Sequence, residues 1–135
     1  MIGASENTLI DMFRTHVRSH LEMTAPLWSG ALTQNDANSI ERVQKIALKI
    51  IKGENNFDYL QSLIDLDLET MDTRRNTICV KFAKKCFKNE KFKHWFPMKS
   101  KANSRSNARF IVPLWKTKRY LTSSIPHLIN ILNQN

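Results

Sequence analysis

Apolar residues along this chain recur at three- and four-residue steps, the spacing of one face of an α-helix. Leu9, Met12, Phe13, Val17 and Leu21 share one side of a segment over 5–23, with Asp11, Arg14, Arg18 and Glu22 on the other. Ser5 is its candidate N-cap, and Pro26 follows its end. A second helix is bracketed by Thr33 and Gly53. Thr33 with Asp36 reads as a capping box in which Asp replaces the usual Glu or Gln, and Gly53 suits the left-handed position just past the end. On a helical wheel Ile40, Val43, Ala47, Ile50 and Ile51 form its apolar face, opposite Glu41, Arg42, Lys45, Lys49 and Lys52.

A short helix is expected over 57–64, followed by a turn through Asp65, Leu66, Asp67 and Leu68. The next helix is capped by Thr70 and runs to Lys88, with Met71, Ile78, Cys79, Phe82, Ala83 and Cys86 inward. Arg75 falls among these apolar residues. A half-buried guanidinium needs a carboxylate, and Asp65, Asp67 and Glu69 are nearest along the chain. Residues 89–122 read as coil or short extended pieces. Phe96-Pro97 stops a helix, residues 99–109 are rich in Ser, Asn, Lys and Arg, and Phe110 to Trp115 is apolar enough to dock. A last short helix starts near Ser124 as its cap, with Pro126 near its first position and Leu128, Ile131 and Leu132 on one side.

These elements predict an all-α fold, a small bundle of about four helices with an irregular basic C-terminal tail that ends in a short helix. The expected organisation is a bundle over 1–95, a basic extended linker over 96–122 and the short helix over 123–135. The 135 residues suit one domain. No apolar run approaches the ~20 residues that span a bilayer, so no membrane partner is expected. Residues 1–9 lack the basic-then-apolar order of a signal peptide, which with only two cysteines points to a reducing setting, cytoplasm or nucleus. Cys79 and Cys86 lie two helical turns apart, roughly 10 Å, too far for a mutual disulfide.

Charge changes the picture, because it is divided along the chain. Residues 1–72 carry 11 acidic and 6 basic side chains, a net of −5. Residues 73–135 carry 15 basic side chains and a single acid, Glu90, a net of +14. A half with one carboxylate repels itself unless a polyanion is near. Within it Arg74, Lys81, Lys84, Lys85 and Lys88 form a stripe on the fourth helix, and a solvated face usually mixes signs where this one does not. These five are the expected phosphate contacts, with Arg42, Lys45 and Lys49 as second choices. Trp95, Phe96, Phe110, Trp115 and Tyr120 are interleaved with basic residues, as base-stacking platforms are, although each is more often a core anchor.

Other chemistry is thin. His16 and His20 have a zinc-clamp spacing but no further ligands in company, and core or boundary positions suit them better. Cys79 has no base placed to activate it and reads as a buried thiol. Asp65, Asp67 and Glu69 could hold Mg²⁺, yet helix-dipole and ion-pair roles explain them better. Phosphate-loop and nucleophile-elbow motifs do not occur. No catalytic residue, metal ligand or cofactor is expected, and the chain reads as no enzyme.

Several segments, taken in order, resemble one family. They are Phe13-Arg14-Thr15-His16-Val17-Arg18-Ser19-His20-Leu21-Glu22, then Pro26-Leu27-Trp28, then Ile40-Glu41-Arg42-Val43-Gln44-Lys45-Ile46-Ala47-Leu48-Lys49-Ile50-Ile51. Thr73-Arg74-Arg75 with Phe82-Ala83-Lys84-Lys85-Cys86 follows, and Arg119-Tyr120, Ser124-Ile125-Pro126 and Leu132-Asn133 close the series. Together, over residues 9–133, they are similar to the C-terminal thumb and post-thumb region of reverse transcriptases from non-LTR retrotransposons of the jockey-like kind. His16, His20 and Met23 depart from that pattern, as does Asp72-Thr73 before the two arginines. The resemblance implies a region that packs on a template–primer duplex of RNA or DNA and lies outside the catalytic palm. It implies a non-catalytic piece of an RNA-directed DNA polymerase. The rival expectation is a helical protein-interaction piece, which docks on a palm or self-associates. A relic of a mobile element without function is the third.

Overall fold

The computed structural model describes residues 4–53, 57–99, 109–114 and 116–134. Most of them are helical, and among them no strand forms. The helices are α1 (Glu6–Met12), α2 (Ser19–Glu22), α3 (Ala25–Trp28), α4 (Gln34–Lys52), α5 (Tyr59–Asp65), α6 (Met71–Lys88), α7 (Glu90–Lys93), α8 (Lys118–Leu121) and α9 (Ser124–Gln134). Five of them reach seven residues. Short 3₁₀ geometry over Ser29–Ala31 and a π-helical stretch over Phe13–Arg18 complete the described helical segments. The helices cluster into two compact units, Met1–Met23 with Thr33–Arg74, and Thr24–Leu32 with Arg75–Asn135. Each unit joins segments distant in sequence, because their apolar side chains share that unit's own core.

In the first unit the helix ends follow the expected capping chemistry. Ser5 Oγ accepts from Thr8 N at 3.2 Å. Thr33 Oγ1 accepts from Asp36 N at 3.2 Å, and the Asp36 carboxylate accepts from Thr33 N at 3.1 Å, completing the capping box. Those bonds hold the Asp36 carboxyl below its usual range. Gly53 closes α4 with φ +62°, and its N–H reaches Lys49 O at 3.0 Å. Asp58, not predicted as a cap, starts α5 by accepting from Leu60 N at 2.9 Å.

Two departures from the helical wheel have physical causes. Over Phe13–Arg18 the helix widens to i→i+5 pairing, which frees carbonyls from the regular ladder. The Thr15 hydroxyl donates to Asp11 O at 2.7 Å, and the Ser19 hydroxyl donates to Thr15 O. In α4 the face turned inward is set by polar residues. Gln44 and Leu48 are fully buried, while Ile50, predicted inward, is 68% exposed. Val43 and Ile46 are exposed with it.

Polar bonds explain that rotation. Gln44 Nε2 donates to Tyr59 Oη at 3.1 Å and to Glu69 O at 3.0 Å. The Tyr59 hydroxyl donates to the Glu41 carboxylate, whose other oxygen accepts from Met71 N at 3.0 Å. Burial and then the Glu41 carboxylate push the Tyr59 phenol far above its usual range. Around this knot pack Ile10, Phe13, Leu48, Leu63 and Leu68. Asp65 is engaged by Lys52 at 3.5 Å, and Lys52 also meets Glu6 at 3.3 Å.

The second unit is built on α6 from Arg75 onward, together with α3 and α7 to α9. Cys79, Ala83 and Cys86 descend one side of α6 at helical spacing and meet Phe96, Phe110, Leu128, Ile129 and Ile131. Fully burying one such large apolar side chain contributes about 1.5–3 kcal/mol. Phe87, Phe96 and Phe110 pack edge to face, with ring centres 5.2–6.3 Å apart. The apolar segment after residue 109 thus docks into this unit's core through Phe110. Both thiols are buried, which raises them above the ordinary cysteine range. Arg75 is buried as the wheel placed it, at 7% exposure. Ser124 is the first residue of α9 rather than its cap, and its hydroxyl donates to Leu27 O at 2.7 Å.

Gly30 sits where α9 passes closest. A Cβ there would lie 2.7 Å from both His127 Cβ and Thr122 O. Gly30→Ala should lower unfolding stability by about 1–3 kcal/mol in urea denaturation. Beside it His127 Nε2 is buried and finds no hydrogen-bond partner among the described residues. Burial, and secondarily Arg75, depress its pKa below the ordinary 6.5. A depressed imidazole contributes stability that is present above pH 6.5 and is lost as pH falls through the folded value. The urea midpoint should therefore drop between about pH 7 and 5, and His127→Asn should flatten that part of the profile.

Candidate nucleic-acid interface

A helix starting at Met71 places residues 81, 84, 85 and 88 on one side, since steps of three and four residues return to the same face. Lys81, Lys84, Lys85 and Lys88 are all exposed there, all within the second unit. Their rise from first to last is about 10 Å. The side opposite carries Cys79, Ala83 and Cys86, so the apolar core fixes which way the lysines face. No carboxylate interrupts the stripe, because Glu90 is the single acid beyond residue 72.

Arg74 differs from the four lysines. It belongs to the first unit and is half-buried. Its Nε donates to Glu22 Oε1 at 2.8 Å, which holds the guanidinium above its usual pKa. Arg18 meets the same oxygen at 3.4 Å, while burial and then Arg74 pull its own pKa down. Arg14 donates to Leu66 O at 2.9 Å. These three arginines thus gather around Glu22 and the turn after α5, and the Arg74 charge is already spent on a carboxylate.

The second-choice residues Arg42, Lys45 and Lys49 lie on α4 in the first unit and are exposed. Lys45 Nζ rests 4.9 Å from the centre of the Tyr59 ring, a cation–π contact. They are not part of the α6 lysine cluster. Of the aromatic candidates, Phe96 and Phe110 are core, Trp95 is partly buried and Tyr120 is exposed; Trp115 lies outside the described residues.

The structure adds a feature that the linear pattern did not reveal. Lys84, Phe87 and Lys88 on α6, Leu132 and Asn133 on α9, and Arg109 with Phe110 line a cleft of about 440 Å³. The Arg109 guanidinium lies 5.7 Å from the Phe87 ring centre and 5.6 Å from that of Phe110. Asn133 fixes the segment that carries them. Its Oδ1 accepts from Phe110 N at 2.9 Å, and its Nδ2 donates to Phe110 O at 3.1 Å. Lys99 N also donates to Arg109 O at 3.1 Å, and Ile111 N to Pro97 O at 2.7 Å. A sequence signal existed in part: Lys84, Phe87 and Lys88 are neighbours on one helical face. The juxtaposition with Arg109 and Asn133 is non-local and left no local pattern.

His16 and His20 are exposed rather than core residues, and His16 lines an apolar groove of about 320 Å³ with Leu9, Met12, Phe13, Val17, Ala47, Ile50 and Ile51. Among the described residues no three His, Cys, Asp or Glu side chains gather as a metal site, and no helix is long and apolar enough to cross a membrane. No family model, curated protein or solved structure matches the chain.

Replacing Asn133 with Ala would strand the N–H and C=O of Phe110. Asn133→Ala should cost about 1–3 kcal/mol by urea denaturation, and hydrogen exchange at the Phe110 amide should accelerate with it.

Proposed function

We propose that this chain contacts nucleic acid through the lysine face of α6 and performs no catalysis of its own, as a region similar to a reverse-transcriptase thumb would. The observation that carries this reading is the unbroken set Lys81, Lys84, Lys85 and Lys88, exposed together and without a carboxylate on the face. Four cations at helical spacing attract a phosphate backbone through charge alone, and releasing condensed counterions makes the contact salt-dependent and indifferent to sequence. Arg74 is the weakest of the expected contacts, since a phosphate would have to displace Glu22. Arg42, Lys45 and Lys49 serve as a separate electrostatic patch on the first unit. The resemblance supplies the partner class, a template–primer duplex. RNA-directed DNA synthesis would require carboxylates that hold two metal ions, and the resemblance assigns those to the palm.

A second reading is favoured by the apolar groove of α1 and α4. Met12, Val17 and Ile50 are exposed on its walls, and Ile50 is the most exposed of the three. Such a face suits a protein partner, a palm or a second copy of this chain.

Fluorescence anisotropy with an RNA–DNA hybrid separates the two. The thumb-like reading expects binding that weakens with salt at a log–log slope of about −3 to −4 for four neutralised phosphates. Changing Lys81, Lys84, Lys85 and Lys88 together to Glu should abolish it. Absence of binding at low salt, or binding that survives the fourfold change, would sink this reading. Dimerisation in sedimentation equilibrium that Ile50→Glu reverses would favour the groove instead.

A further inference from the structure

We propose that the cleft of the second unit takes one unpaired nucleotide of a single strand; this rests on the reading above that the α6 face meets nucleic acid. The chemistry of the cleft walls carries the assignment. Three cations, Lys84, Lys88 and Arg109, stand around apolar surface from Phe87, Phe110 and Leu132. An anion with a flat apolar body matches that combination, whereas a small inorganic anion leaves the apolar wall unused. The cleft volume, about 440 Å³, lies within the range of ligand pockets and exceeds the need of a bare phosphate.

Arg109 supplies the platform. Its guanidinium lies 5.6–5.7 Å from two ring centres, so a planar cation and two aromatic rings line the cleft together, the groups on which bases stack in single-strand recognition. Lys84 and Lys88 are point charges suited to the phosphate. Asn133 uses one oxygen and one N–H on Phe110, which leaves the second N–H of Nδ2 for an acceptor on a base edge. One feature favours a strand over a free nucleotide, and another a single strand over a duplex. Lys84 and Lys88 are members of the exposed lysine row, so the charge that would hold one phosphate continues along α6 to Lys81 and Lys85. A duplex cannot exploit the cleft, because its bases are stacked and paired and only its phosphates reach a convex helix.

The test compares a fluorescein-labelled single strand of about 12 nucleotides with a blunt duplex of the same length in about 50 mM salt. The single strand should bind at least ~5-fold tighter, and Arg109→Ala should reduce its affinity by a similar factor while leaving the duplex within about 2-fold. Arg109 is exposed, so this variant should fold, and unchanged urea unfolding would verify that it does. A strand carrying 5-iodouracil, irradiated and mapped by mass spectrometry, should crosslink at Phe87 or Phe110. Equal affinity for the two forms, equal loss for both on Arg109→Ala, or crosslinks confined to other residues would overturn the pocket. Displacement of the strand by uridine monophosphate at equal molar concentration would overturn the strand in favour of a free nucleotide. If the duplex still binds and loses affinity on combined Lys81→Glu and Lys85→Glu, the α6 reading survives the failure of the cleft. If neither form binds, both fall.

Discussion

The first turn of α6 is held by one carboxylate. Glu41 accepts from the backbone N–H of Met71, the first residue of that helix, and from the hydroxyl of Tyr59. A carboxylate at a helix N-terminus satisfies a donor that the helix cannot use and meets the positive end of its dipole. Because Glu41 is on α4 and Tyr59 on α5, a single side chain ties the starts of two helices to a third. Gln44, one turn along, adds bonds to Tyr59 and to the backbone at Glu69. The first turn of α6 is thereby held within the first unit, while Cys79, Ala83 and Cys86 turn the rest of the helix to the core of the second.

That knot also explains what could be read from the sequence and what could not. Helix limits were legible because they are local chemistry: Ser5, Thr33, Gly53 and Thr70 do what their side chains or backbone freedom allow. The inward side of α6 was legible for Met71, Arg75, Cys79, Ala83 and Cys86, which are buried at helical steps, but Phe82, expected inward, is 36% exposed. The inward side of α4 was not. Gln44 looks like a surface residue, yet its bonds place it inside beside half-buried Glu41, and Val43, Ile46 and Ile50 are turned outward. The π-helical turns after Met12 shift the register of the first helix in a way that no sequence period signals.

The candidate site divides in the same manner. Four lysines at helical spacing are a one-dimensional pattern, and their common exposure followed from it. The Arg74 partner was illegible, since Glu22 lies 52 residues away in sequence. The cleft was illegible for the same reason, because Arg109, Asn133 and α6 meet only through tertiary packing. Phe110 was legible as a docking residue but not as the hinge between core and cleft. Its ring is in the core while its backbone is clamped by Asn133.

Lys84 and Lys88 belong at once to the outer lysine row and to the cleft wall. A charge present once can be neutralised only once. Whatever occupies the cleft therefore weakens the attraction of the helix face for a further polyanion, and the reverse holds by the same amount. Lys84 and Lys88 therefore count once, not twice, in any tally of that half's positive excess. The number of counterions that one partner can displace is smaller than the net charge of +14 would suggest.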